Sequence, residues 1–183
     1  EMMESIKIGA EEEFRTLASA KWKPAEVAVF TAADEYATSY CTHAKEFRLQ
    51  CKEYLHRHIL PACGVPFDSY ELSDIGDPRL PDYKIYLFPN AFTLSEEMRK
   101  KIKERVRRAG KTAIWVYAPG YYRNGIGDKA NVEDMTGVAV ERKAAKKSNF
   151  VSWTLEPIKT SVCAKDGWKS VFMPLPPSAG YRL

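Results

Sequence analysis

The clearest pattern of hydrophobic and polar positions lies between Tyr83 and Tyr122. The run Ile85–Phe88 is apolar at every position, as expected of a central strand in a parallel sheet with both faces covered. A second aliphatic and aromatic run covers residues 113–117. Two buried strands joined by one short helix predict a right-handed βαβ unit. The helix is indicated by apolar residues at helical spacing, namely Leu94, Met98, Ile102, Val106 and Ala109.

The ends and the polar face of this helix are also predicted. Thr93 precedes Glu96 by three residues, which is the capping-box pattern, and Gly110 is the expected left-handed stop. The basic positions between the apolar ones are expected to face solvent: Arg99, Lys101, Lys103, Arg105 and Arg107.

The remaining segments give further elements. Apolar spacing predicts an amphipathic helix over residues 3–19, which either packs on the domain or links it to something upstream. Residues 1–24 are therefore separated from a domain spanning residues 25–183. Further expectations are a strand at 26–31, a helix from Asp34 to Ile59, an edge strand at 67–72, a polar loop at 73–81, a mobile loop at 121–129, a helix at 132–136 between Asn131 and Gly137, and strands at 138–140, 150–155 and 168–173.

This order of elements predicts an α/β fold, a flavodoxin-like three-layer sandwich with a mainly parallel sheet and strand order 2-1-3-4-5. Such sheets bind ligands beyond the carboxyl ends of their strands, where the strand order reverses. That edge is expected to consist of residues 31–34, 90–92 and 118–122.

Composition adds little to this picture. The 183 residues are 45% hydrophobic and 28% charged, with a net charge of +4, which is ordinary for one globular domain. There is neither an apolar run long enough to span a bilayer nor a signal-peptide pattern, so no membrane partner is expected. The basic clusters lack a nucleic-acid-binding motif. Four cysteines without metal spacing are expected to be reduced, which favours a cytoplasmic location.

Candidate catalytic chemistry is sparse. Amidotransferases and hydrolases place Cys or Ser on a sharp turn after a strand, yet the corresponding turn at residues 117–121 contains neither. All three histidines precede it in the early helix (His43, His56 and His58). No glycine-rich phosphate motif is present, and the carboxylate pairs Asp34–Glu35 and Asp74/Asp77 are interpreted as caps and turns. We expect no metal and no cofactor, although flavin binding at the strand ends stays open.

Residues 82–92 and 111–120 resemble the middle, or trimerisation, domain of prokaryotic beta-galactosidase-like glycoside hydrolases. That domain is similar in fold to class I glutamine amidotransferases. The resemblance implies a non-catalytic module that mediates subunit contact and helps to wall a neighbouring active site. Supporting segments bring the matched region to roughly residues 26–177: Gly64–Asp68, Leu72–Ile75, Asn131–Gly137, Lys169–Phe172 and Pro174–Pro177.

The sequence therefore predicts an assembly domain of a carbohydrate-active protein, with a second copy or a neighbouring glycoside hydrolase domain as partner. An alternative is a sugar or nucleotide site at the same strand ends, and a third option is a thiol amidase using Cys63 or Cys163. Aromatic and arginine side chains in exposed loops favour contact with a partner. The candidate contact residues are Asp34, Asn90, Phe92, Gly120, Tyr121, Tyr122 and Arg123.

Overall fold

The computed structural model describes residues 25–32, 59–145 and 152–173. The predicted helices at 3–19 and 34–59, the three histidines and Asp34 lie wholly or almost wholly outside these residues. The elements are β1 Val27–Thr31, α1 Leu60–Ala62, β2 Phe67–Glu71, a 3-10 helix Leu72–Gly76, β3 Ile85–Phe88, α2 Glu96–Val106, β4 Thr112–Val116, β5 Tyr122–Arg123, β6 Ile126–Gly127, α3 Lys129–Thr136, β7 Val140–Ala145, β8 Ser152–Pro157, β9 Val162–Lys165 and β10 Trp168–Met173.

A six-stranded sheet organises the chain, in the order β2-β1-β3-β4-β10-β9. The first five strands are parallel, and β9 is antiparallel to β10. The prediction of an α/β fold with a mainly parallel sheet is confirmed, as is the parallel β3-α2-β4 unit. The order of the first four strands also agrees with the sequence analysis.

The fifth position in the sheet was predicted wrongly. Residues 138–140 were expected to pair beside β4, but β10 occupies that edge over five consecutive residue pairs. The chain after α3 instead forms β7, which pairs with β8 in a separate antiparallel hairpin. Val140, the first residue of β7, does not join the sheet. It packs into an apolar cluster that also contains Val132 of α3 and Leu155 of β8.

One face of the sheet carries an aromatic row in which neighbours come from adjacent strands: Tyr70, Phe30, Phe88, Trp115 and Phe172. The rings of Phe88 and Trp115 stack with centroids 4.3 Å apart, and the indole Nε1 donates to Ser170 Oγ at 2.9 Å. Buried side chains of the 3-10 helix, α2 and α3 pack on this face. The layer expected on the other face is the helix at 34–59, so the flavodoxin-like three-layer arrangement stays a prediction.

Helix α2 differs from its prediction at both ends. Its N-cap is Ser95, whose hydroxyl accepts from Met98 N at 3.2 Å, because Thr93 is held in a parallel bridge with Tyr122. The helix ends at Val106, and Gly110 adopts its positive φ of 78° later, in the turn before β4. Arg99 was expected to face solvent but is buried, as are the predicted core positions Ile102 and Val106.

The segment expected to be a loop at 121–129 is the β5–β6 hairpin. Its turn residues Asn124 and Gly125 have φ values of 50° and 77°, as a two-residue type I′ turn requires. The hairpin leads into α3, whose N-cap is Asp128 rather than the predicted Asn131. Gly137, with φ 71°, ends α3 as expected.

Candidate functional site at the carboxyl edge of the sheet

The crevice where the strand order reverses lies between β1 and β3, and the side chain of Asn90 closes it. Its Oδ1 accepts from Ala32 N at 2.9 Å, and its Nδ2 donates to Ala32 O at 2.7 Å. The amide thus imitates one more pair of backbone hydrogen bonds beyond the ends of the two strands. Asn90 is only 6% exposed, so a ligand at this point would compete with these two bonds.

The turn after β4 contains one residue with a strained backbone but no Ser or Cys nucleophile. Tyr117 follows the strand directly and has φ 65°, a region that costs energy for any residue except glycine. Its amide donates to Met173 O at 2.8 Å, and its ring meets Phe92 edge-on, with centroids 6.0 Å apart. The strained position, where a hydrolase would hold Ser or Cys, is occupied by a tyrosine packed against a neighbouring ring.

Gly120 completes this turn and is a position where only glycine fits. It has φ 64°, and its amide donates to Ala91 O at 2.7 Å. A Cβ atom placed there would lie 2.5 Å from Arg99 Nη1 and 2.9 Å from Met135 Cγ. The predicted contact residue Gly120 is therefore enclosed by α2 and α3.

Arg99 anchors the turn, a role that the sequence analysis missed. Nη1 donates to Gly120 O at 3.1 Å, and Nη2 donates to Asn131 O at 2.8 Å and to Asp134 Oδ2 at 2.6 Å. The same carboxylate accepts from Lys103 Nζ at 2.6 Å. Burial alone would raise the pKa of Asp134, but the hydrogen bonds from Lys103 and Arg99 outweigh it and hold that pKa below its ordinary value.

Arg107, the C-cap residue of α2, extends this row of cations. Nη2 donates to the carbonyl oxygens of Asp134 and Met135 near the end of α3, where exposed carbonyl groups favour a positive charge. The guanidinium also lies 5.2 Å from the ring centroid of Trp168. Arg99 and Lys103 lie on one side of α2 and Arg107 follows at its C-cap, and all three bind α3.

The aromatic residues expected in exposed loops are largely enclosed. Phe92 and Tyr121 are buried and Tyr122 is half-buried, so the prediction of exposed aromatics is wrong for the first two. The reason is a second apolar cluster that fills the space beyond the ends of β3 and β4 under the β7–β8 hairpin. Its buried members are Phe92, Ala118, Tyr121, Val132, Val138, Val140, Leu155 and Phe172.

The β5–β6 hairpin is the part of this edge that reaches solvent. Tyr122 is fixed by backbone bonds to Phe92 O at 3.0 Å and from Leu94 N at 3.2 Å. Arg123 is exposed and forms an ion pair with Glu96. Opposite Arg123 stands Ile126, which is 71% exposed. A contact role for Asn90, Phe92, Gly120, Tyr121, Tyr122 and Arg123 stays a prediction, and Asp34 lies outside the described residues.

Other candidate groups are placed away from this edge. Cys63 is exposed in the turn before β2, and Cys163 is half-buried in β9 beside Gly137; both thiols are free. Asp77 is bound by Arg79, whose hydrogen bonds lower the pKa of Asp77 to about 2. Within residues 25–32, 59–145 and 152–173, no group of three metal-ligating side chains is found, and no helix there is long and apolar enough to cross a membrane.

Comparison with known proteins relates the fold to a solved structure. No protein-family model and no curated protein matches the sequence. The fold is similar to part of a polyextremophilic beta-galactosidase from the Antarctic haloarchaeon Halorubrum lacusprofundi, with a TM-score of 0.53 and 16% identity. The match covers 92% of this chain and 30% of the beta-galactosidase. The predicted resemblance to a part of a beta-galactosidase is thus confirmed at the level of the fold, which is all that such low identity establishes.

Proposed function

We propose that this chain is a non-catalytic domain of a beta-galactosidase-like glycoside hydrolase, and that it contributes to assembly of that protein. The observation that carries the proposal is the filling of the sheet's carboxyl edge. Enzymes with open α/β sheets keep this edge free for substrate. Here Asn90 spans the crevice between β1 and β3, and Phe92 and Tyr121 occupy the space beyond β3 and β4.

The fold relationship supports the same proposal. A chain that matches 30% of a beta-galactosidase corresponds to one part of a longer enzyme. The trimerisation role and the relation to glutamine amidotransferases belong to this proposal and rest on the sequence resemblance described above.

The β5–β6 hairpin is the contact surface that we favour. It is held at its base by the backbone of residues 92–94 and presents Ile126 and Arg123 outward. Arginine is enriched in protein interfaces, and the exposed isoleucine adds apolar area beside it. The proposed partner is a second copy of the same chain.

Sedimentation equilibrium over a wide range of protein concentration tests the assembly role. We expect a mass above that of the monomer, and Ile126→Asp should weaken association at least about tenfold, because a buried charge would replace an apolar contact. Val65→Asp is the matched control, since Val65 is 50% exposed between α1 and β2. A monomer at every concentration would contradict self-assembly, and equal effects of both substitutions would contradict the hairpin surface.

A small-molecule site at the same strand ends is the alternative function. It is favoured by the polar side chain of Asn90 at the switch point, where ligands of this class of fold bind. Titration calorimetry with simple sugars, nucleotides and flavins tests it. Heat that disappears in the Asn90→Ala variant would favour the alternative over the assembly role.

A further inference from the structure

The turn of the β5–β6 hairpin places two reactive groups side by side. Asn124 is followed by Gly125, and these two residues form the type I′ turn, with φ values of 50° and 77°. Because glycine has no Cβ, its amide nitrogen can approach the carboxamide carbon of the preceding asparagine without steric hindrance. Attack of this nitrogen on that carbon is the first step of asparagine deamidation, a reaction that makes asparagine one of the thermolabile residues.

The hydrogen bonds of the described asparagines distinguish Asn124 from the other two. Asn90 binds backbone groups through both polar atoms of its side chain. The side-chain nitrogen of Asn131 donates to Tyr121 O at 3.0 Å. Within the described residues, neither the carboxamide of Asn124 nor the backbone amide of Gly125 forms a hydrogen bond. No hydrogen bond therefore has to be broken at either of the two reacting groups.

The hairpin must open at its turn before the two groups can react, and few contacts hold it closed. The cyclic imide that forms requires a backbone conformation different from that of the type I′ turn, whose first central residue has a ψ of about 30°. The ladder next to the turn consists of two residue pairs, Arg123 with Ile126 and Tyr122 with Gly127. A two-stranded hairpin is marginally stable by itself, so local opening at its tip costs little free energy.

We propose that Asn124 is a self-modification site, which converts to isoaspartate in the folded chain. The nitrogen of Gly125 forms a bond to Asn124 Cγ, and the bond from Cγ to the side-chain nitrogen breaks. Ammonia leaves with the proton of the Gly125 amide. Water then opens the cyclic imide at one of its two carbonyl groups, which gives either aspartate or isoaspartate. The reaction consumes water and needs no other reactant.

Isoaspartate lengthens the backbone of the turn, because the chain then passes through the side-chain carbon and gains one atom. The strands cannot absorb this atom by sliding, since both ends of the hairpin are fixed. At the start of β5, Tyr122 N donates to Phe92 O at 3.0 Å. After β6, Asp128 N donates to Tyr121 O at 3.0 Å. The extra atom must therefore displace the residues between these two points.

The displaced residues include Arg123 and Ile126, which flank the turn. The product also carries a new carboxylate next to Arg123, where it competes with Glu96 for the guanidinium. Modification of Asn124 therefore disrupts the surface that we favour for contact with a second copy. This consequence rests on the proposed function, whereas the formation of isoaspartate does not.

Mass spectrometry of peptides from the full chain tests the reaction. The chain is incubated in mildly alkaline buffer with and without urea, so that the effect of the fold is separated from that of the Asn-Gly sequence. We expect the folded chain to convert Asn124 at no less than about one tenth of the rate in urea. In the folded chain, Asn90 and Asn131 should convert at least about tenfold more slowly than Asn124, because their side chains are hydrogen-bonded.

The product and the control decide the outcome of this measurement. An isoaspartate methyltransferase with a labelled methyl donor distinguishes isoaspartate from aspartate, which has the same mass. Asn124→Gly is the matched control, since Gly-Gly also suits a type I′ turn but has no carboxamide, and it should incorporate no label in the hairpin. A folded-chain rate below one tenth of that in urea, or aspartate as the only product, would overturn the proposal.

Hydrogen exchange tests whether the longer backbone displaces the hairpin. The isoaspartate form, isolated by ion exchange, is compared with the Asn124→Asp variant, which carries the same charge on a backbone of normal length. We expect the amides of residues 122–127 to exchange at least about fivefold faster in the isoaspartate form. Equal exchange in the two proteins would overturn the displacement of Arg123 and Ile126.

Sedimentation equilibrium of the isoaspartate form separates this inference from the assembly role. If the hairpin binds a second copy, the isoaspartate form should associate at least about tenfold more weakly than the unmodified chain. Asn124→Gly protein incubated for the same time should associate as before. Unchanged association together with faster exchange would contradict the hairpin contact surface and would leave the modification site in place.

Discussion

The guanidinium of Arg99 donates a hydrogen bond to the backbone carbonyl oxygen of Gly120, 3.1 Å away. This contact joins the first turn of α2 to the turn that follows β4. The same guanidinium also binds α3 through Asn131 O and Asp134. One buried cation thus fixes three segments at the edge of the sheet where this class of fold normally binds its ligands.

Replacing Arg99 should be costly. Arg99→Met removes the hydrogen-bond donor of Gly120 O, Asn131 O and Asp134. We expect the free energy of unfolding to fall by about 2–3 kcal/mol. The loss should not be larger, because solvent can hydrate the partly exposed Asp134. Urea unfolding measures it. Lys100→Met, at a neighbouring exposed position of α2, is the control and should change stability by less than about 0.5 kcal/mol. A loss no larger than that of the control would show that Arg99 does not anchor the turn.

Two glycines with the same φ angle allow the cost of backbone strain to be measured separately from the cost of steric crowding. Gly120 and Gly64 both have φ 64°, but of these two only Gly120 has described atoms within 4 Å of the position that a Cβ would take. Gly64→Ala should cost about 1 kcal/mol for the left-handed backbone alone. Gly120→Ala should cost at least about 2 kcal/mol more, since Arg99 and Met135 must move. Equal costs in thermal or urea unfolding would contradict the close packing of this turn.

The closed crevice at Asn90 makes a prediction about pH. Asn90→Asp keeps the acceptor for Ala32 N but sets a carboxylate oxygen against Ala32 O, so we expect a loss of about 2 kcal/mol or more at neutral pH. The carboxylate is disfavoured there, so the folded pKa of the new group is raised. The loss should therefore shrink as the pH falls through that pKa and the group becomes a donor.

Asn124→Asp is the control for this substitution, because aspartate is as suitable as asparagine in a type I′ turn. Unfolding by urea at several pH values compares the two variants. A loss that does not depend on pH would indicate that Asn90 is not held by Ala32.

Asp134 should contribute to acid sensitivity. Its folded pKa lies below the ordinary value of 3.8, so its contribution to stability is complete above that value and is lost as the pH falls through the lower folded pKa. The difference in free energy of unfolding between the unsubstituted chain and Asp134→Asn should be constant above about pH 5 and should narrow below 3.8. A difference that widens on acidification would contradict the ion pairs with Arg99 and Lys103.

Local sequence patterns were sufficient to predict most strands of the sheet and the order of four of them. Short continuous apolar runs such as Ile85–Phe88 are typical of buried strands, and β10 was located with the bounds that the structure has. The pairing of β10 with β4 joins residues far apart in the chain, and no local pattern encodes it. The type I′ turn is different, because Asn124-Gly125 is a recognised hairpin signal that the sequence analysis overlooked.

The site was harder to predict, because its key polar residues resemble ordinary surface positions. Residues 99–108 contain six basic residues besides Arg99, so its charge does not distinguish it. Its hydrogen-bond acceptors belong to residues 120, 131 and 134, later in the sequence. The sequence predicted Thr93 as the N-cap of α2, but Thr93 is held in a tertiary bridge to Tyr122 and Ser95 caps the helix instead. Phe92 and Tyr121 were placed correctly on loops, but their burial depends on the distant β7–β8 hairpin.

The protein's own side chains fill the carboxyl edge of the sheet, and we propose that this edge serves as a scaffold rather than a reaction site. The most direct measurement is turnover of chromogenic galactosides, esters and amides by the purified chain at high protein concentration. We expect no turnover above the buffer rate. Turnover that a single substitution in the turn after β4 abolishes, such as Tyr117→Phe, would contradict it.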